Sequence, residues 1–382
     1  MRVLLISYGH GDDDVSESLT SYKISKEIQK FCSVRILTKD NTKSSNIINI
    51  NTNSLFKRSF YYRAVKPDYP EFIFKAYRYA ITHKKEYDII HHISPISLRY
   101  PNPLCNINKP FIWGPVGGSI PYPKGFETIQ LREPLLQRLR KIDFVRLRWD
   151  PFMVNTMDKS NKIIVTCNAI MNKLAPGYQE KTVVIPEGID LEIAPSESFI
   201  EKNYVFSSGR LVPYKGFELL IRAFAKSNIG ANTRLLISGE GKEKGFLNQL
   251  IDDLGMHNRI KLLGKVKKQE NLALMKASLF CVFPALNEAF GHVNLEAMSM
   301  KKAIIVTDNG GPADIVVNGE TGYKVISDSI SRYIAKLTEK MNLLYNNENL
   351  RKKMGKNGYR RIKKLYSWNE IGKKYIEIYK ET

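Results

Sequence analysis

The sequence has few cysteines and no long apolar run. Its four cysteines, Cys32, Cys105, Cys167 and Cys281, lie far apart, with no C-x-x-C pair and no histidine spacing typical of zinc sites. Free thiols in a reducing compartment are therefore expected. No stretch approaches the roughly 18 to 20 apolar residues that span a bilayer. The short apolar run at the start meets acidic residues at once, unlike a signal peptide. We expect a cytoplasmic protein, at most peripheral on the inner face of a membrane.

Acidic residues are also scarce beside basic ones. Lysine and arginine total 59 against 38 aspartates and glutamates, a formal net charge of +21. Such an excess attracts nucleic acid, anionic membrane surfaces or phosphorylated substrates, and a basic surface without a specific partner is an equal alternative. The chain lacks ribonucleoprotein aromatic motifs, helix-turn-helix patterning and zinc knuckles. A nucleic-acid-binding protein is therefore the least favoured class, and no nucleic acid partner is expected.

What the sequence does contain is an alternation of short β-rich runs with helical segments. The runs are 3–7, 34–37, 89–93, 111–114 and 163–166 in the first half, and 205–208, 235–238, 260–263, 279–283 and 303–307 in the second. This alternation predicts parallel sheets covered by helices on both faces. At 382 residues the chain exceeds a single core. We predict an α/β protein with two Rossmann-like, doubly wound domains.

The break between the two series falls near Pro186 and Gly188, followed by a polar stretch up to Asn203 that suits a hinge. We expect an N-terminal domain at 1–187, a C-terminal domain at 188–365 and a final helix at 366–382. Ligands of doubly wound sheets bind beyond the carboxyl ends of the strands. Two such domains facing each other would form a cleft, and functional residues are sought in loops that follow strands.

The strongest candidate site is the run PALNEAFGHVNLEAM, in which a strand ends at Pro284 and a helix begins near Gly291. Glu288 lies in the loop and Glu296 within the helix. Backbone N–H groups at a helix start favour an anion, and carboxylates accept hydrogen bonds from the vicinal hydroxyls of ribose and hexose. The arrangement suits a sugar nucleotide. On spacing alone, surface charges are the favoured interpretation of both glutamates, since exposure is the usual fate of this residue type.

Two further loops follow predicted strands in the second half. The loop GRLVPYKG carries Arg210 and Lys215, which together suit a diphosphate, although solvated charges remain the alternative. The turn SGEG contains Gly239 and Gly241, which permit close approach of a nucleotide. It is not a dinucleotide fingerprint, and a plain tight turn is the simpler interpretation.

Candidates in the first half are less specific. The segment FIWGPVGGS has three glycines after an apolar strand, and its backbone amides either face a ligand or belong to a packed turn. His91 and His92 end another strand, so one should point into the domain and the other away. A core histidine is as good an interpretation as a catalytic one.

Two segments are strongly basic, 131–148 and 351–364. The first intersperses leucines with basic residues and suggests binding to an anionic membrane surface. Arg138 interrupts its apolar stripe, so an ordinary surface helix remains equally open.

Four segments, taken together and in their order along the chain, resemble the retaining glycosyltransferases of family 4. The likeness runs from about Gly188 to the end. The four segments are GRLVPYKG, the glutamates 288 and 296 with FG between them, EAMSMKKAIIVT and GGPADIVVNGETGY. The resemblance implies the GT-B fold, with two Rossmann-like domains across a cleft and a C-terminal helix that returns to the N-terminal domain. It implies a hexosyltransferase-type enzyme that moves a sugar from a UDP-sugar, or alternatively a GDP-sugar. The acceptor would be a saccharide or lipid-linked saccharide in surface polysaccharide assembly, and anomeric configuration would be retained.

The resemblance also implies residue roles. Arg210 and Lys215 would bind the diphosphate, Glu288 the sugar hydroxyls and Glu296 the ribose. Further donor-binding positions would be Phe290, Gly291, Gly209, Gly239 and Gly241, and the acceptor or sugar side would include Gly9, Gly11, His92, Gly117 and Gly118.

The chain departs from the family pattern in the first half. Trp113-Gly114-Pro115 stands where the family often has a histidine, and YGHG replaces a double glycine after the first strand. The family often has asparagine where this chain has Glu187. The GPVGG loop resembles that of a subset of the family.

Catalysis at such a site requires stabilisation of the negative charge on the departing diphosphate. Arg210, Lys215 and a helix N-terminus would provide it. The acidic cluster 12–14 lies in the other half of the chain. We therefore predict a metal-independent enzyme without a cofactor or protein nucleophile. A non-catalytic sugar- or nucleotide-binding protein on the same fold is the alternative, and the intact set of two cations and two glutamates argues against it.

Overall fold

The computed structural model describes residues 1–12, 17–39, 44–52, 66–138, 142–191 and 201–382. Their contacts form two compact units. The N-terminal unit comprises Met1–Gly118, Ile142–Glu187 and Trp368–Thr382, and the C-terminal unit comprises Ser119–Lys141 and Gly188–Ser367. The main boundary coincides with the predicted one after residue 187. The sequence prediction placed 119–138 in the N-terminal domain, whereas these residues pack in the C-terminal unit. The predicted polar stretch at 192–200 and Asp13 and Asp14 lie outside the described residues.

The N-terminal unit contains a parallel sheet of seven strands in the order β3-β2-β1-β4-β5-β6-β7. The strands are β1 (Arg2–Ser7), β2 (Ser33–Thr38), β3 (Ile47–Asn49), β4 (Ile89–Ser94), β5 (Phe111–Val116), β6 (Lys162–Val165) and β7 (Thr182–Val184). The helices among the described residues of this unit are α1 (Glu17–Ile28), α2 (Tyr69–Thr82), α5 (Ile142–Trp149), α6 (Pro151–Lys159), α7 (Asn168–Met171), α8 (Pro176–Gln179) and the final helix α16 (Trp368–Glu381).

The C-terminal unit contains a parallel sheet of six strands in the order β10-β9-β8-β11-β12-β13. The strands are β8 (Tyr204–Ser208), β9 (Arg234–Ser238), β10 (Ile260–Gly264), β11 (Cys281–Phe283), β12 (Ile304–Thr307) and β13 (Gly322–Val325). The helices in the described part of this unit are α3 (Glu127–Leu131), α4 (Leu135–Arg138), α9 (Phe217–Ala225), α10 (Lys244–Asp253), α11 (Lys268–Ala277), α12 (His292–Ser299), α13 (Gly311–Ile315), α14 (Ile330–Asn346) and α15 (Glu348–Leu365). The prediction of two doubly wound, Rossmann-like α/β domains is confirmed.

The final helix α16 belongs to the N-terminal unit because of its apolar face. Trp368, Ile371 and Tyr375 are buried in one cluster with residues of β1, β4 and α1. A Cβ built on Gly372 would lie 2.6 Å from the Cβ of Glu27, so this glycine lets α16 approach α1 closely. The helical spacing in the sequence is therefore a packing pattern.

His91 and His92 in β4 point to opposite faces of the sheet, and helices cover both faces. The His91 ring contacts Tyr375 and Tyr379 of α16, and its Nε2 lies 2.7 Å from the carbonyl oxygen of Gly114. The His92 ring contacts Tyr69 of α2 instead. The predicted alternation holds, but neither ring reaches the surface. Burial lowers the pKa of each to about 3, so both rings are neutral in the folded protein.

Because the folded protein keeps His92 neutral while the unfolded chain protonates it near pH 6.5, stability should fall as the pH drops below that value and level off near pH 3. A fully shifted group contributes about 1.4 kcal/mol per pH unit in this window. In His92→Leu we expect a shallower dependence of the melting temperature on pH between 7 and 5. His257→Gln, a change at an exposed histidine, should keep the wild-type slope. Equal slopes in the wild type and His92→Leu would contradict the prediction.

The two basic segments fold differently from each other. Residues 351–364 lie within the long helix α15. Segment 131–148 does not form one described helix. It contains α4 and α5, which belong to different units, and residues 139–141 lie outside the described part.

All four cysteines are free. None of the helices among the described residues combines the length and apolar character needed to cross a bilayer.

Candidate functional site

The loop GRLVPYKG follows the carboxyl end of β8 and ends in a left-handed glycine. Gly216 has φ +69°, and a Cβ on it would lie 2.2 Å from the carbonyl oxygen of Pro284. Only glycine fits both constraints. The close approach brings this loop against the segment that follows β11, so two loops distant in sequence meet at the carboxyl edge of the sheet.

We expect Gly216→Ala to lower the free energy of unfolding by about 2 to 4 kcal/mol, since the added methyl meets backbone and the φ angle disfavours it. The matched control is Gly245→Ala, because nothing lies within 4 Å of a Cβ at Gly245 in α10. That variant should be as stable as the wild type or slightly more so. Urea unfolding of the two variants measures the difference. Equal midpoints would contradict this account of Gly216.

Lys215 and Glu288 meet in a salt bridge between Nζ and Oε2, where the two loops touch. Their side chains are 16% and 21% exposed, so both are largely withdrawn from water but still accessible. They line a cavity at the ends of β8 and β11 together with Ser207, Ser208 and Asn294. The structure thus brings the predicted diphosphate lysine and the predicted sugar glutamate into one small site.

Arg210 lies in the same loop, but its side chain contacts Tyr214 of that loop. Its Nη2 donates a hydrogen bond to the Tyr214 hydroxyl, and the guanidinium lies 5.7 Å from the centre of that ring. The arginine itself is exposed. It is absent from the described residues that line the cavity, so Tyr214 determines where its charge is presented.

Helix α12 begins beside Glu288, as predicted. Gly291, the residue before the first residue of this helix, has a left-handed conformation with φ +87°. The Gly291 carbonyl accepts hydrogen bonds from the backbone N and the side-chain Nδ2 of Asn294, both at 2.9 Å. Asn294 Oδ1 is buried without a hydrogen-bond partner among the described residues. Phe290 is buried and packs edge-on against His292, with ring centres 5.2 Å apart. This oxygen can accept a hydrogen bond from a ligand or from a water molecule.

The sequence prediction missed Asn294, because it considered no side-chain amide among its candidate site residues. The detectable signal was its position three residues after Gly291, in the first turn of α12.

The GGP segment at 310–312 contributed to the family resemblance but was not predicted to belong to the site. In the structure, Gly311 N donates to the carbonyl of Glu288 at 3.0 Å. A Cβ on Gly310 would lie 2.1 Å from that same oxygen. These glycines hold the backbone of Glu288 in place.

Glu296 lies in the second turn of α12, outside the cavity lining described above. Burial raises the pKa of its carboxyl, and the charges of His292 and Lys268 act in the opposite direction. The side chain is half-buried. A partly desolvated carboxylate with no ion pair among the described salt bridges is suited to accept hydrogen bonds from hydroxyl groups.

Gly239 and Gly241 have a packing explanation. A Cβ on Gly239 would lie 1.8 Å from the carbonyl oxygen of Gly209, and one on Gly241 would lie 2.2 Å from that of Leu211. The Leu211 N–H also donates to Glu240 O at 2.9 Å. The backbone of the SGEG turn therefore packs directly against the backbone of the GRLVPYKG loop.

The candidates in the N-terminal unit occupy varied environments. His92 is buried, and Gly117 lies against Ile96 and Thr166. Gly9 N lies 3.4 Å from Ser94 Oγ. Gly11 and Gly118 have open space where a Cβ would be. Gly11 and Gly118 therefore leave room beside the backbone for another molecule. Across the described chain, no group of three or more potential metal-ligating side chains was found.

Residues 189–361 match the family model described as Glycosyl transferases group 1. The C-terminal half of the chain is thus related to the group 1 glycosyl transferases. An uncharacterized glycosyltransferase of Methanocaldococcus jannaschii, MJ1178, is 32% identical over 225 residues, 58% of this chain and 60% of its own length. The capsular polysaccharide biosynthesis glycosyltransferase CapM of Staphylococcus aureus is 30% identical over 189 residues, 48% of this chain and 48% of CapM. The chain therefore spans about half to three-fifths of these relatives.

The fold of the whole chain has a counterpart among solved structures. The Anabaena protein HepE, solved in complex with UDP and glucose, superposes with a TM-score of 0.65 at 16% identity and covers 100% of both chains. At this identity the likeness concerns the fold, which is of the GT-B type. The group 1 match itself includes Arg210, Lys215, Glu288 and Glu296.

Proposed function

We propose that this protein is a glycosyltransferase that moves a sugar from a nucleoside diphosphate donor to a saccharide or lipid-linked saccharide acceptor. The observation that carries the proposal is the Lys215–Glu288 pair, accessible in a cavity at the carboxyl edge of the sheet and beside the start of α12. A cation for the diphosphate and a carboxylate for sugar hydroxyls are the two charges that a sugar nucleotide requires. The relationship to group 1 transferases and to CapM supports polysaccharide or glycoconjugate synthesis.

In the proposed mechanism the bond between the anomeric carbon and the diphosphate oxygen breaks, and the acceptor oxygen bonds to that carbon on the same face. The acceptor proton passes to the departing diphosphate, so configuration is retained without a protein nucleophile. Lys215, Arg210 and the amides at the start of α12 stabilise the charge that develops on the diphosphate. Glu288 orients the sugar through its hydroxyls, and Glu296 binds the ribose. No step of the proposed mechanism uses a metal ion.

UDP is the nucleotide we propose, with GDP as the alternative, and the HepE complex with UDP and glucose supports this choice. Thermal-shift measurements with UDP, GDP, UMP and a panel of UDP- and GDP-sugars test it. We expect the largest rise in melting temperature with UDP or a UDP-sugar, because a ligand that binds only the folded state stabilises it. Donor turnover in the presence of saccharide acceptors then separates an enzyme from a binding protein. No stabilisation by any nucleotide would refute the proposal.

We propose peripheral membrane association through helix α5 as the route to a lipid-linked acceptor. Ile142, Val145 and Trp149 lie at helical spacing on one face of α5 and are between 47% and 75% exposed. Leu147, on the opposite face, is buried, so this helix presents its apolar stripe to solvent. Arg148 is exposed beside the stripe. Tryptophan with arginine is the combination favoured at anionic membrane surfaces.

Replacing Trp149 and Phe152, the latter 72% exposed at the start of α6, with serine should reduce binding to vesicles containing phosphatidylglycerol about tenfold, as apolar burial is lost. Co-sedimentation measures bound protein, with phosphatidylcholine vesicles as the neutral comparison. Phe31→Ser is the matched control, since Phe31 is a similarly exposed aromatic residue of the same unit. Unchanged binding of the double variant would exclude this surface.

A further inference from the structure

Segment 119–138 precedes the group 1 match by some distance in sequence, yet it is built into the C-terminal unit. Phe126 and Ile129 are buried in the core cluster of that unit. A Cβ on Gly125 would lie 1.9 Å from the carbonyl oxygen of Asp328. The side chain of Asn309 donates a hydrogen bond to Pro121 O at 2.9 Å. These contacts hold the segment against the sheet along much of its length.

At the end of this segment the carboxylate of Glu133 is buried against the GRLVPYKG loop. Its Oε1 accepts hydrogen bonds from the backbone N–H of Tyr214 at 3.0 Å and from the Tyr122 hydroxyl at 3.2 Å. Lys242 Nζ lies 3.8 Å from Oε2. The side chain is only 3% exposed. A buried carboxylate is costly unless it is paired and hydrogen-bonded, so this position requires a defined set of partners.

The neighbouring Arg132 extends the connection from the same segment. It pairs with Glu218 of α9 at 2.7 Å and lies 3.4 Å from Glu243. Its guanidinium also lies 4.5 Å from the centre of the Phe246 ring. Glu218 is the second residue after Gly216, so the segment contacts both ends of the turn that presents Lys215.

Tyr214 connects this buried anchor to the candidate site. Its N–H is held by Glu133, its carbonyl accepts from Leu286 N at 2.7 Å, and its hydroxyl accepts from Arg210. The next residue is Lys215, which pairs with Glu288. Both cations of the loop therefore depend on the placement of one tyrosine, and a carboxylate some 80 residues earlier determines where its backbone lies.

We propose that Glu133 is a positioning residue for donor binding, which holds Tyr214 so that Arg210 and Lys215 converge on the diphosphate. The inference rests on the proposed function of those two cations. It goes beyond that function by making an element outside the group 1 match part of the nucleotide site. Glu133 itself touches no ligand; it acts through the backbone of Tyr214.

The experiment measures affinity for UDP and for UMP by calorimetry in Glu133→Ala, Glu133→Gln, Arg210→Ala and the double variant Glu133→Ala/Arg210→Ala. Loss of the acceptor leaves a buried N–H unpaired, so Glu133→Ala should weaken UDP binding about tenfold. UMP binding should change less than about twofold, because UMP lacks the second phosphate that the loop is proposed to hold. Glu133→Gln keeps an oxygen that can accept from Tyr214, so UDP affinity should stay within about twofold of the wild type.

Two comparisons separate positioning from general destabilisation. Ile129→Val, a core change in the same segment, should lower the melting temperature without changing the ratio of UDP to UMP affinity. In the double variant the losses should be less than additive, since both changes act on the same phosphate contact. Additive losses, an equal effect on UMP, or unchanged UDP affinity in Glu133→Ala would overturn the inference. If Arg210→Ala leaves UDP affinity unchanged, the proposed phosphate role of Arg210 fails instead.

Discussion

Replacing Glu288 with alanine should lower kcat/KM for sugar transfer by about three orders of magnitude, equivalent to about 4 kcal/mol of transition-state stabilisation. Two effects act in the same direction. The sugar loses the carboxylate that orients its hydroxyls, and Lys215 loses the partner that holds its ammonium in the cavity. Since the side chain of Glu288 is partly exposed, the protein should remain folded.

Initial rates with saturating acceptor and varied UDP-sugar measure this effect, and circular dichroism checks the fold. Glu320→Ala is the matched control, because Glu320 is an exposed glutamate of the same unit. It should retain wild-type activity. Full activity in Glu288→Ala would remove Glu288 from the proposed mechanism.

Replacing Lys215 with alanine should lower kcat/KM by about two to three orders of magnitude, since a preorganised cation at the departing diphosphate is lost. The variant also leaves Glu288 partly buried without its cation, which disfavours a second negative charge in the cavity. We expect UDP to bind more weakly as well, so both kcat and the affinity for donor should fall.

Lys244→Ala provides the matched control for Lys215→Ala. Lys244 also pairs with a glutamate, Glu240, at 2.9 Å, but both side chains are almost half exposed. Such a surface pair contributes little to stability. Steady-state kinetics and UDP titrations should show wild-type behaviour in this variant. Equal effects of the two lysine changes would indicate a general loss of positive charge and contradict a specific role for Lys215.

Most of the sheet architecture was predictable from the sequence. The ten predicted β-rich runs correspond to β1, β2, β4, β5 and β6 in the first unit and to β8 to β12 in the second. Strands buried on both faces are continuous apolar runs, which makes them visible without any tertiary information. The three strands that were missed, β3, β7 and β13, all lie at sheet edges and have three or four residues. Edge strands are short and partly exposed, so they lack that pattern.

The candidate site was predictable in its components and less so in its geometry. The carboxylates and cations were identified from loops that follow strands, and the contact between Lys215 and Glu288 joins two of those loops. Asn294 and Tyr214 were not identified, because their roles come from an unpaired Oδ1 and from hydrogen bonds to distant residues. A residue type alone does not reveal such partners.

The assignment of segment 119–138 shows the limit most clearly. It lies between β5 and α5 in sequence, both of which belong to the N-terminal unit, so a linear reading places it there. Its apolar and charged side chains find their partners in the other unit, at Asp328, Tyr214 and Glu218. Local pattern carries no information about which distant surface will bury a side chain.

The sequence by itself determined the class of the fold and the residue types around the Glu288 loop, because periodicity, turn residues and charge are local properties. Only the tertiary structure decided that Lys215 pairs with Glu288, that His91 and His92 are both covered, and that Glu133 supports the loop of Arg210. Each of these depends on close approach between segments far apart in the chain, which packing and hydrogen bonding select together.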